Sequence, residues 1–447
     1  MKNSLSIKET LAIGLMLFAL FFGAGNMIFP PVLGQYAGDN VWLAIGGFLL
    51  TGVGLPLLGV VAVALTGTGA KGLADKAHPK FGTIFTVILY LSIGPFFAIP
   101  RTGTVSYEIG LAPFLNETQS SSWIPLFLFT VVFFTVTYLL ALNPSKLVDR
   151  IGKVLTPILL AVIAIIVIKA IATPMGDIGN PDATYKANPL FTGFLEGYKT
   201  MDALASIVFG IVVVTAVKAR GITERKSIAA ACIKAGVVAA IGLALVYISL
   251  AYVGASSTDS TGMVNANEGG KLLSLSASVL FGSAGNIVLG AAILFACLTT
   301  SVGLVSSCGE YFSRLFPAFS YKTVILIVSL FSTFVANLGL TQIISLSVPV
   351  LSAIYPLAIV IILLSFLDRW INGRRVIYIA SLVFTGFFSI IDGLTAANIN
   401  LGALPEVLNI YVPFYNLGVG WIIPAILGAV IGVLISIFTS PPKQLAS

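Results

Sequence analysis

The chain has 447 residues, 57% of them hydrophobic and 9% charged, with a mean hydropathy of +1.04 and a formal net charge of +7. Soluble chains carry about 25% charged residues, and surface-to-volume scaling gives one water-soluble domain no way to hide this much apolar surface. The composition excludes a soluble enzyme, a disordered chain and a nucleic-acid-binding domain, and indicates an all-α polytopic membrane protein.

A helix needs about 20 apolar residues to cross the hydrocarbon core. In chain order, such segments fall at 9–35, 41–66, 81–113, 123–141, 146–171 and 190–218. Six more fall at 228–253, 286–312, 323–338, 341–366, 376–396 and 411–438. Twelve transmembrane helices are expected, the ninth and tenth parted only by a tight turn at Asn337-Leu338-Gly339. The first run follows Lys2 and Lys8 and continues to Pro30 and Pro31 without a small-residue cleavage site, so it is expected to be retained as a span. The whole chain, 1–447, reads as a single membrane domain.

The connections alternate in charge. One set holds Lys71, Lys76 and Lys80; Lys146, Arg150 and Lys153; Lys218, Arg220, Arg225 and Lys226; Arg314 and Lys322; and Arg369, Arg374 and Arg375, with Lys2, Lys8 and Lys443 near the ends. The other set holds only Lys186 and Lys271. Positive residues stay cytoplasmic, so both termini are expected inside, in a cell membrane. The net charge is then a topology signal rather than a mark of acidic partners. Cys232, Cys297 and Cys308 lie in or beside apolar stretches, and His78 is the sole histidine. Neither a disulfide framework nor a zinc or haem ligand set can be assembled from them, and no cofactor is expected.

Two spans carry interruptions. The first contains Phe21-Phe22-Gly23-Ala24-Gly25-Asn26. Two glycines and an Asn at membrane depth disfavour continuous helix. Irregular backbone there must be buried in protein or line a cavity, although a Gly-x-Gly face packing two helices closely would use the same residues. The sixth span contains Tyr198-Lys199-Thr200-Met201-Asp202. A carboxylate at that depth costs about 2.5–3.5 kcal/mol on insertion scales and expects a partner; Lys199 near the interface is one reading, a functional site the other. The interruptions fall in the first and sixth spans, so each opens a five-helix half. Five is odd, which inverts the second half relative to the first. Interrupted helices at corresponding positions of two halves point to the site of a secondary transporter. The halves are 9–171 and 190–366, with 376–438 outside the repeat.

The eighth span adds Thr299, Thr300 and Ser301. Membrane hydroxyls often bond back to their own helix, but three in a row expose at least two faces. In a five-plus-five inverted repeat the eighth helix packs beside the first. Its hydroxyls and the freed carbonyls of the first helix would form an oxygen cage suited to a hard cation such as Na⁺.

Phe22-Gly23-Ala24-Gly25-Asn26-Met27-Ile28-Phe29-Pro30-Pro31, Ala98-Ile99-Pro100-Arg101-Thr102 and Tyr198-Lys199-Thr200-Met201-Asp202 resemble motifs of the branched-chain amino acid:cation symporter family, the BrnQ-type carriers, and the resemblance spans essentially the whole chain. It implies import of leucine, isoleucine and valine with Na⁺ or H⁺ in bacteria. It also implies the LeuT-type fold of the amino acid–polyamine–cation superfamily: a 5+5 inverted repeat with broken helices 1 and 6, plus two extra helices.

By that resemblance Gly23, Ala24, Gly25 and Asn26 would hold the substrate carboxylate through backbone amides. Thr300 and Ser301, with Thr299 one residue away, would hold a cation together with carbonyls near Ala19 and Phe22. Asp202 lies outside the analogy; it would bind the substrate ammonium or help to hold the cation. Thr200, Ser206 and Phe209 join the substrate site, with Ile207, Phe96 and Phe97 as further apolar wall. Arg101 and Glu108, two turns apart on the third span, and Glu310 are candidates for coupling or gating. Lys153 lies where a lysine could replace Na⁺, or it is an ordinary cytoplasmic cation at a helix end. The partners implied are an amino acid and the lipid bilayer, with no nucleic acid and no obligate protein. An enzyme would want clustered His, Cys or paired acids at membrane depth, and a channel a repeated filter motif. Neither can be assembled from this sequence. No GxxxxGK[ST] loop offers a use for ATP.

Overall fold

The computed structural model describes residues 4–120 and 122–438, the side chains of 117, 120 and 144–156 excepted. It is all helical. The first span is two helices, α1 (Ile7–Phe21) and α2 (Ala24–Ala37), broken at Phe22 and Gly23. The second is α3 (Val41–Leu49) and α4 (Leu55–Thr66), joined by a widened turn over 50–54. After a short α5 (Ala70–Ala74), the third is α6 (Pro79–Leu91) and α7 (Ala98–Gly110), interrupted at Gly94 and Pro95. Then come α8 (Trp123–Ala141) and α9 (Pro144–Ala172).

The second half opens with α10 (Pro189–Glu196), a tight turn over 197–200 and α11 (Asp202–Lys218), bent by 47°. It continues with α12 (Arg225–Ala255), α13 (Gly269–Leu315), α14 (Tyr321–Ala336) and α15 (Leu340–Ile371). The chain ends with α16 (Arg375–Ala396), α17 (Leu404–Tyr411) and α18 (Ile422–Phe438).

Among the described residues, seven helices are long and apolar enough to cross a membrane, eight with the bent α10–α11 pair, and α14 and α18 are among the shorter apolar helices. Helices lie at each of the twelve apolar segments. Two bounds differ from expectation. The eighth segment extends back to 269 and bends at Gly282, whose φ of 62° no side-chain-bearing residue adopts readily. The twelfth begins at 422, because Val412–Trp421 is mostly turn and α17 stands apart from it.

Lipid tails are as apolar as leucine, so helices here associate through close backbone approach at small residues. Gly47 of α3 faces the Leu190 carbonyl of α10, and Gly193 of α10 faces that of Ala44. Gly34 of α2 and Gly254 of α12 face the carbonyls of Ala251 and Pro31 across the matching pair. The second span therefore packs on both pieces of the sixth, and the seventh on both pieces of the first. These two pairings exchange under the inversion of an inverted repeat. The third and eighth spans, α7 and α13, which exchange with each other, form an extensive contact between the halves. This frame holds both broken helices at one level, around a common cleft.

Candidate functional site

The cleft lies between both breaks, α7 and α13. It is lined by Gly23, Ala24, Gly25 and Asn26 of the first break, Arg101 of α7, Thr200, Met201 and Asp202 of the second, and Thr300 of α13. Its apolar wall is Leu20, Phe21, Ile93, Ala205, Phe209 and Leu304. The ring of Phe209 meets that of Phe21 edge to face at 6.0 Å.

Each break has a local cause. Asn26 sits three residues after Gly23, and its Oδ1 accepts from the Gly23 amide at 3.1 Å. The side chain thus caps the start of α2, while the other first-turn amides have no carbonyl within the helix to bond. At the second break Met201 is held at φ 66°, a left-handed conformation that a residue with a side chain adopts only when its surroundings impose it. Thr200 Oγ1 donates to the Gly197 carbonyl at 2.9 Å and accepts from the Asp202 amide at 3.3 Å, closing the turn.

Asp202 is 3% exposed and opens the first turn of α11, where the helix dipole favours a negative charge. Its Oδ2 accepts from Asn26 Nδ2, and from Tyr247 Oη on α12 at 3.0 Å. Asn26 Nδ2 also contacts the Tyr247 oxygen. One side-chain amide thus joins both breaks and the seventh span. Lys199 does not serve Asp202. It pairs with Glu196 at 2.5 Å and lies over the Phe29 ring.

Arg101 is 2% exposed. Its guanidinium donates to the Lys199 carbonyl at 2.7 Å and reaches the Thr200 carbonyl at 3.4 Å, so it caps the end of the α10 segment, where the dipole favours a cation. The guanidinium also lies over Phe29 at 5.2 Å, and its Nε has no hydrogen-bond partner. A Cβ on Gly25 would stand 2.8 Å from Arg101 Nη2, so a side chain there would push the guanidinium from its place against the helix. The cleft therefore carries a buried cation and a buried anion that form no ion pair with each other among the described residues. Two orphaned helix ends stand beside them.

The expected cation residues separate. Thr300 Oγ1 is buried without a partner, against Gly23. Thr299 Oγ1 bonds back to the Phe295 carbonyl, and with Ala19 and Phe22 it lines a separate apolar cleft of about 320 Å³ beside α9. Ser301 Oγ accepts from Thr137 on α8 at 3.3 Å. Only Thr300 of the three presents a free hydroxyl to the central cleft.

Other expected residues lie elsewhere. Ser206 donates to the Ala203 carbonyl and stands against Gly59 of α4, beside Ile207. Phe96 is 41% exposed and packs on Phe331, and Phe97 does not line the cleft. Glu108 Oε2 lies at Gly270 in the first turn of α13, away from the cleft. Glu310 is exposed and lies 3.8 Å from Arg314. The side chain of Lys153 lies outside the described residues. Sequence reasoning missed Tyr247; the available signal was a phenol in the middle of an apolar span, which needs a hydrogen-bond partner when buried.

The cleft holds about 30 Å³, room for about two waters at roughly 10–15 Å³ of such space each. Broken first and sixth helices around a central polar cleft, with the eighth span alongside, define a LeuT-type carrier fold. Mhp1, a nucleobase-cation-symport-1 family transporter in a closed conformation with bromovinylhydantoin bound, matches at a TM-score of 0.63 over 96% of this chain and 92% of that one, at 14% identity. MhsT in complex with L-phenylalanine matches at 0.59 over 98% and 99%, at 15% identity.

At the sequence level, the family profile described as branched-chain amino acid transport protein matches residues 6–439. The branched-chain amino acid permease BraB of Bacillus subtilis is 66% identical over 445 residues, 100% of this chain and 99% of that one. The permease BrnQ of the same organism is 49% identical over 98% and 99%. The branched-chain amino acid transport system 2 carrier protein of Pseudomonas aeruginosa is 47% identical over 98% of both. The chain belongs to the family of branched-chain amino acid transport proteins, and is a multi-pass membrane transporter rather than an enzyme.

Proposed function

We propose that the chain is a secondary active symporter that imports leucine, isoleucine and valine by alternating access, driven by a Na⁺ gradient. The reading rests on the two buried charged groups of the cleft, Arg101 and Asp202, which form no salt bridge with each other among the described residues. A zwitterion needs an anion site and a cation site a few ångströms apart, beside a dry pocket for its side chain. Arg101 and the first-turn amides of α2 serve the carboxylate. Asp202 Oδ1, the carboxylate oxygen not taken by Asn26 or Tyr247, serves the ammonium, and Phe209 and its apolar neighbours take the aliphatic chain. One methylene is worth about 1–3 kcal/mol in such a pocket, so leucine, isoleucine and valine are poorly separated. A cleft with room for two waters must open before leucine enters, which supports a cycle of separating and closing helices.

Na⁺ would sit between Thr300 Oγ1 and the last carbonyls of α1, which lack donors within the helix, an all-oxygen set suited to a hard cation. Asp202 supports a second reading, in which a proton reaches this buried carboxylate when the ammonium leaves. Either ion suffices. A charge crossing about 100 mV gains roughly 2.3 kcal/mol, and a tenfold gradient adds about 1.4 kcal/mol. Charge alternation supports twelve crossings with both termini inside a bacterial plasma membrane, two five-span repeats at 9–171 and 190–366, and 376–438 outside them.

Radiolabelled leucine uptake into proteoliposomes tests the proposal, first with an inward Na⁺ gradient at fixed pH and then with a proton gradient free of Na⁺. Accumulation under the first supports the Thr300 site. Accumulation only under the second transfers coupling to Asp202. No accumulation under either overturns symport.

A further inference from the structure

A second and much larger cavity, about 530 Å³, lies between α10, α15, α16 and the 415–418 turn. It sits on the side of the 173–189 connection, the outer side in the topology proposed above. Two carboxylates line it, Glu196 and Asp392, and no Lys or Arg does. Lys199 neutralises Glu196. Asp392 has no hydrogen bond or ion pair among the described residues, and it lies in electrostatic reach of the Tyr198 and Tyr415 hydroxyls.

An independent observation marks the same place. Tyr198 lines the cavity, is 5% exposed and leaves its Oη without a hydrogen-bond partner. Trp421 Nε1 lies near that oxygen and has no other partner among the described residues. Native proteins seldom leave buried polar atoms unpaired, so such atoms beside an open cavity call for a ligand. The ring of Tyr198 stacks on that of Tyr355 at 4.2 Å. Two residues further along the chain from Tyr198, Thr200 lines the central cleft.

We propose that this cavity is a second amino-acid site, in which Asp392 and Tyr198 Oη receive the ammonium group and Phe191, Leu195 and Leu417 flank the aliphatic chain before the molecule moves to the central cleft. The proposal rests on the reading of the chain as an importer. Its chemistry differs from that of the central cleft. The outer cavity has carboxylate and hydroxyl acceptors but no fixed cation, so it binds an aliphatic ammonium whether or not a carboxylate is attached. The central cleft has Arg101 and requires the carboxylate.

Isoamylamine, leucine without its carboxylate, is the probe. Equilibrium dialysis of the purified full chain in lipid nanodiscs should show one saturable site for the labelled amine. Asp392→Asn should weaken it about tenfold, about 1.4 kcal/mol, and Tyr198→Phe measurably. Asp202→Asn should leave it unchanged. Size-exclusion profiles establish that each variant is folded, and Tyr198→Phe decides the matter should Asp392→Asn not fold. No saturable amine binding, or binding untouched by both Asp392→Asn and Tyr198→Phe, overturns the proposal. Loss in Asp202→Asn places the amine in the central cleft and overturns it as well. A failure of the central-site reading shows separately, as leucine binding insensitive to Asp202→Asn.

Discussion

Asp202→Asn is nearly isosteric, and the geometry fixes how the new amide must sit. Asn26 Nδ2 and Tyr247 Oη both donate to the same carboxylate oxygen, Oδ2. An amide there must turn its own oxygen toward these two donors. Its NH₂ then occupies the position of Oδ1, the oxygen left for the substrate, and the ammonium of leucine meets a donor where it had an ionised acceptor. A hydrogen bond to a charged group contributes about 1.5–3 kcal/mol, and 1.4 kcal/mol is tenfold in affinity. Leucine affinity should therefore fall about ten- to a hundredfold. Binding of 4-methylpentanoate, which is leucine without its ammonium, should not fall, because its carboxylate uses Arg101 and α2. The assay is competition of both ligands against labelled leucine on purified protein. Leucine affinity unchanged within a factor of about two, or equal losses for both ligands, would refute the assignment of Asp202 to the ammonium.

Arg101→Lys should give the opposite pattern: leucine and 4-methylpentanoate should lose affinity together, by about tenfold or more, since a lysine ammonium lacks the planar fork that spans the Lys199 and Thr200 carbonyls while facing the ligand. Thr300→Ala should raise the Na⁺ concentration for half-maximal uptake, whereas Thr299→Ala, whose hydroxyl already bonds to Phe295, should leave it unchanged; equal effects in a Na⁺ titration would argue against the Thr300 site. Neighbouring glycines of α3 test the packing. A Cβ on Gly47 would meet the Leu190 carbonyl at 1.9 Å, while nothing lies within 4 Å of one on Gly46. Gly47→Ala should lower the melting temperature in detergent, overpacking costing about 1–3 kcal/mol or more. Gly46→Ala should hold or raise it, since alanine is the better helix former.

By itself the sequence determined the membrane class, the places of the helices and the two breaks. Those are properties of composition and local backbone preference. An apolar run of about 20 residues belongs in lipid whatever surrounds it, and glycines and an Asn interrupt a helix in any fold. The repeat was legible from the positions of Gly23–Asn26 and Asp202 alone. Family motifs added the substrate class, which no spacing contained.

Side-chain direction is different, because it depends on what each helix face meets. Thr299, Thr300 and Ser301 are consecutive hydroxyls with nothing in the sequence to rank them. Helix rotation alone sends one back to its own helix, one into the cleft and one toward Thr137. Ser206 and Asp202 lie one helical turn apart, yet Ser206 faces Gly59 of α4 and misses the cleft. Arg101 and Tyr247 are 146 residues apart from each other in the chain, and only the packing of α7 and α12 around the breaks brings both to the surroundings of Asp202. Long-range approach of that kind is set by the small-residue contacts between helices, and it decides which buried charges are paired and which stay free for a ligand.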